Sequence, residues 1–377
     1  MKKQHLRLVM VLLTVGSARG GHTQVFTWTG MAAGNSTSWA SPDNWNVGGG
    51  LVPGSHDAAY FDSNTRTTTT SAGGRLINSI TFGTGATATR TISGGSVLFF
   101  DPNGDNSGVT TGVSGVAIEN LSTATHAFTL AVGLSGPETF SATAGGLTFS
   151  GGITLGANQL TLTGGQGINV NSTISSGGGS LVKQGAGTLT LSGTAANTFS
   201  GPVTLAAGTL ILTKAGALGS VSAVNINAGV LSLQGVGLSH MGASSAINLA
   251  GGTIIANNST ESVGALSLSG DATIALADDT TAGILRFASG ARTGGTLTVE
   301  NWSGTAGQSG TDDQIFFTSA PDAGFLGHVQ FVGFQAAAVL LGSGELVPIP
   351  EPPQVALVIG LGLVLFTVQR RHASRWS

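Results

Sequence analysis

The sequence predicts an all-β chain coiled into a right-handed parallel β-helix, and three observations carry that expectation. Gly supplies 61 of the 377 residues, which favours short strands and tight turns over helices, where each interior Gly costs about 1 kcal/mol. Apolar pairs recur in x-x-Φ-x-Φ segments at Leu147/Phe149, Ile168/Val170, Leu189/Leu191, Leu210/Leu212, Leu231/Leu233, Ile254/Ala256, Ile274/Leu276 and Leu297/Val299, and their first members follow at nearly constant intervals, 21 in each of the first four steps. A second series, Leu205, Ile226, Ile247 and Leu268, runs at intervals of 21, with Gly at strand starts such as Gly187, Gly208, Gly229 and Gly252. Alternation with Thr, Ser and Asn turns one face of each strand inward. This period is too short for a propeller blade, and an antiparallel sandwich would place its turns about 8 to 12 residues apart. Stacked parallel coils remain, about 4.8 Å apart and right-handed as parallel crossovers are.

Composition narrows the function classes. With 41% hydrophobic residues and a net charge of −3 the chain is not disordered, and 10 Pro without a three-residue Gly period exclude collagen. Between His22 and Pro350 seven Lys and Arg stand against sixteen Asp and Glu. Such an acidic domain is no partner for nucleic acid, which needs a basic patch. The absence of Cys rules out disulfides, thiolate metal sites, iron–sulfur clusters and a Cys nucleophile. No cofactor motif occurs, and none is expected.

Taken from the N-terminus, Lys2, Lys3 and Arg7 precede the apolar run Leu8 to Val15, followed by small residues. Residues 1–21 therefore read as a signal peptide for Sec-type export. Residues 22–140 are expected to form an N-terminal β cap and early strands, with Trp28, Trp39, Trp45 and Phe61 as aromatic anchors. Caps are needed because the end coils of a solenoid expose strand edges. Residues 141–300 hold the solenoid repeats and 301–347 a C-terminal β cap around Trp302 and Phe331. Residues 348–377 combine the stiff Pro350-Glu351-Pro352 segment, an uncharged run from Val355 to Val368, and a basic end with Arg370 and Arg371. The run is barely long enough to enter a bilayer, and the Arg pair would hold its end in the cytoplasm.

Two resemblances follow from these residues. Gly178 to Gly193, continuing through Asn197 to Gly201 and Ala207 to Leu210, resembles the autotransporter-associated β-strand repeat, which implies an exported β-solenoid. No lipid-facing barrel pattern follows it. Pro350-Glu351-Pro352, the apolar run and the terminal Arg cluster resemble the PEP-CTERM sorting signal. That resemblance implies processing by an exosortase-type enzyme in an exopolysaccharide-producing bacterium, after transient anchoring in the membrane.

Candidate chemistry is sparse. Asp101, Asn103 and Asp105 have the i, i+2, i+4 oxygen spacing of a calcium loop, but the EF-hand positions six and twelve carry Asn106 and Gly112, and turn chemistry accounts for the same residues. Trp28, Trp39 and Trp45 are candidates for stacking sugars, against burial under a cap. Asp279 and Glu300 lie one repeat interval apart, a spacing that would stack two carboxylates on neighbouring coils as in a polysaccharide-degrading enzyme. The sequence thus favours an envelope-anchored structural or adhesive surface protein, not an enzyme. A module binding exopolysaccharide or other envelope glycans is the alternative.

Overall fold

The computed structural model describes residues 24–47, 49–55, 57–71, 74–100, 116–276, 282–334 and 337–350. The expected signal peptide, the calcium candidates Asp101, Asn103 and Asp105, the expected membrane run from Val355 to Val368, and Glu351, Pro352, Arg370 and Arg371 lie outside the described residues. Among those described, no helix is long and apolar enough to cross a membrane.

The chain winds into a parallel β-solenoid of right-handed type, with about 22 residues per turn. Two twelve-stranded parallel sheets run its length, one from Val25–Thr27 to Gly290–Arg292 and the other from Thr68–Ser71 to Val329–Phe331. At about 4.8 Å per strand, twelve coils span on the order of 50 Å. A third side carries five strands from Arg75–Ile77 to Ile174–Ser176, and three more from Thr260–Val263 to Gln314–Phe317. Each coil thus bends around three sides of a core filled by inward Leu, Ile, Val and Phe.

The predicted columns are present. Leu147, Ile168, Leu189, Leu210 and Leu231 stand one over the next, continue through Ile254 and Ile274, and are all buried. The turns explain the Gly positions. Gly208, Gly229 and Gly252 have φ of +71°, +80° and +71°, and a Cβ on Gly229 would lie 2.3 Å from the carbonyl oxygen of Gly208. Only Gly accepts that hand and that approach.

Two steps of the expected columns are corrected. The last step of the first column is not Ile274 to Leu297, because Ile274 pairs with Val299 and Ala272 with Leu297. Ile226 pairs with Leu249, and Val224 with Ile247, so the second series leaves register after Leu205 and Ile226. Both displacements are by two positions, which returns every side chain to its own face. The hydrophobic pattern therefore defines the face, and turn length sets the register. Finally, the parallel stack starts well before residue 141: Val25 pairs with Ala58, and Ala58 with Ser79. It also runs past residue 300, with Ile315 on Leu285 and Val329 on Leu297. Unequal coils at both ends, such as Thr91 to its partner Ala127, hide the period there.

Candidate functional site

The indoles expected at the N-terminal end are interior. Trp28, Trp39 and Trp45 are 1%, 0% and 4% exposed. Trp45 meets Trp39 edge-on at 4.9 Å and Trp28 at 5.1 Å, and Phe61 packs against all three. Trp45 Nε1 donates to the Trp39 carbonyl and Trp28 Nε1 to that of Thr65. The sugar-stacking expectation gives way to burial: these rings close the first coils by their large apolar area and offer no face to a glycan.

Arg90 completes this end. Its guanidinium lies 4.6 Å over the Phe61 ring and donates to the carbonyls of Arg66, Ser63 and Thr65 and to Thr69 Oγ1. Burial pulls its pKa down to about 10. His126 stacks on Phe82 at 4.1 Å, and its Nδ1 accepts the Arg90 backbone N–H, which leaves Nε2 to donate to Ser122 Oγ. Burial, and then the Arg90 charge, lower the His126 pKa to about 4.

Other buried polar groups serve the backbone. Between Ile174–Ser176 and Thr260–Val263 the third side carries no strand, only scattered backbone bonds between coils such as Leu218 N to the His240 carbonyl, and side chains satisfy further backbone groups there. Asn197 accepts from Ile174 N and donates to the Ala217 carbonyl, while Lys214 Nζ donates to Asn197 and to the Ser172 carbonyl. Glu261 receives the backbone N–H groups of His240 and Met241, and its Oε1 lies 2.6 Å from His240 Nδ1. Lys183 Nζ reaches three carbonyls. Burial lowers both Lys183 and Lys214 to about 8. The ammonium groups brace turns. The sequence held one overlooked signal of this network, since Glu261 follows His240 by one repeat interval, a single coil.

The expected stack of Asp279 and Glu300 falls partly outside the described residues. Glu300 stands opposite Ala275 on the neighbouring coil, and Asp279 lies outside the described residues. No group of three or more His, Asp or Glu gathers as a metal site among the described residues.

Two surface features remain. Outward Thr148, Asn169 and Thr190 follow one another in register and, with Gln166, line a shallow polar groove of about 270 Å³. A larger cleft of about 420 Å³ lies at the C-terminal end, where Arg286 and Phe316 face the turn of an antiparallel hairpin formed by Ala338–Leu340 and Leu346–Pro348. Sequence reading missed it because Arg286 and Phe316, although paired on adjacent coils, stand further apart in the sequence than one regular repeat interval.

The coil that best matches the sequence period decides the comparison with known proteins. Residues 181–212 match the passenger-associated transport repeat. The matched span contains the strands in which Leu181 pairs with Val203 and Leu189 with Leu210, so it takes in a little more than one coil. No curated protein and no solved structure matches the chain. The repeat and the β-solenoid together are consistent with an exported, surface-exposed, passenger-like protein.

Proposed function

We propose that the chain is a non-enzymatic surface or matrix rod, exported and held at the cell envelope by its C-terminal segment until an exosortase-type enzyme processes it. The observation that carries this reading is the pair of continuous twelve-stranded sheets around a coil that matches a passenger repeat. Stacking of this kind makes length and a repetitive outer face, which suit display or matrix building. The buried cations fit the same reading, because Arg90, Lys183 and Lys214 are bonded to backbone carbonyls.

The absence of native Cys makes a direct test possible. Asn169→Cys, exposed on the outer face, should react with a membrane-impermeant maleimide on intact cells of the native host. Deleting residues 348–377 should move the labelled protein into the medium or periplasm. Labelling that requires lysis would refute surface display. A mature protein that still ends at Ser377 would refute C-terminal processing.

A further inference from the structure

We infer that the cleft between Arg286 and the 340–344 turn is a binding site for a uronate residue of an acidic glycan, a reading independent of where the protein is displayed.

Arg286 projects from the outer face of the short sheet, between Ser262 and Phe316 on the adjacent coils. Its guanidinium carbon lies 4.0 Å from the centre of the Phe316 ring, a cation–π contact, and both residues line the cleft. Among the described residues it is the one cation without a hydrogen-bond acceptor. Arg66, Arg75 and Arg292 each donate to a backbone carbonyl, as do Arg90, Lys183 and Lys214 in the core. The carboxylate at the base of the hairpin is committed elsewhere, because Glu345 is buried and accepts from Gly310 N, Ser309 Oγ and Gln314 Nε2. A guanidinium at a cleft wall without a hydrogen-bond acceptor of its own matches a bidentate carboxylate.

The rest of the cleft selects among carboxylates. Leu341 gives an apolar wall, Thr318 and Ser343 bring hydroxyls, and Gly342 has open space beside it. This combination suits a sugar ring, with its C–H face on the leucine and its hydroxyls toward Thr318 and Ser343. An acidic peptide would bind best by adding a strand, but that edge is taken: Phe317 N donates to the Gly344 carbonyl, and Phe316 bridges Glu345.

Calorimetric titration of the full chain with a galacturonate oligosaccharide tests this. Binding is expected for the uronate oligomer and not for the neutral oligomer of equal length. It should weaken at least ten-fold in Arg286→Met, an exposed position whose variant should keep the parent circular dichroism and melting temperature, and it should weaken further at high salt. Phe316→Ala should lower affinity in the same direction. No binding at millimolar uronate, equal binding of the neutral oligomer, or an unchanged affinity in Arg286→Met would overturn the assignment. Oligoglutamate binding as tightly, with the same dependence on Arg286, would overturn the glycan as its ligand.

Discussion

Leu210→Asp is expected to cost roughly 5 kcal/mol and to disorder the coils on either side. Leu210 is fully buried, stacked between Leu189 and Leu231, so a carboxylate there has no water and no cation in the column. Loss of the leucyl contacts alone costs about 2 to 5 kcal/mol, and burying an unpaired polar or charged group adds to that. In a solenoid each coil leans on its neighbours, and the damage should spread along the rod. Hydrogen exchange should show protection lost first in the strands at 188–191, 209–212 and 230–234. Thr190→Asp is the control: Thr190 is half-buried on the outer face, between Asn169 and Ile211, and its replacement should change stability by about 0.5 kcal/mol or less. Equal melting of Leu210→Asp and the parent would contradict the inward column.

Acid is expected to weaken the N-terminal coils through His126. The ring titrates at about 4 in the folded chain and near 6.5 when unfolded. Between these values the unfolded chain binds a proton that the native chain does not, so stability falls as pH falls from about 6.5 to 4 and then levels for this group. The full effect is about 3 kcal/mol, since one pKa unit corresponds to about 1.36 kcal/mol. Urea titrations across this range should show the loss, and His126→Phe, which keeps the ring against Phe82, should lack that part of the slope. The variant should be weaker at neutral pH, having lost the acceptor for the Arg90 N–H. Identical slopes in the two proteins would show that His126 is not buried as a neutral ring.

The fold was largely legible in the sequence because coils of constant length write the same inward residues at the same interval. From Leu147 to Leu231 the interval never changes and the register matches it. Where turns lengthen, as between Ile274 and Val299, the strand face survives and the register shifts by two. The candidate sites were less legible. Burial of Trp28, Trp39 and Trp45 depends on three-dimensional neighbours such as Phe61 and Arg90, which no spacing joins. The Arg286 cleft arises from a hairpin folding against a sheet edge, a contact without periodicity. His240 and Glu261 were within reach, one coil apart, although their role in satisfying an irregular third side depends on where strands are missing.

The most direct test of the central claim, parallel coils in this register, uses disulfides in a chain that has no Cys of its own. Asn169 and Thr190 face each other on adjacent outer strands, at the separation of about 4.8 Å that parallel neighbours share and that a disulfide accepts. The pair Asn169→Cys with Thr190→Cys should oxidise readily to an intramolecular bond. Asn169→Cys with Ile211→Cys joins positions two coils apart, and twice the strand spacing is beyond disulfide reach, so this pair should not oxidise. Failure of the first pair, or equal oxidation of both, would contradict the solenoid register.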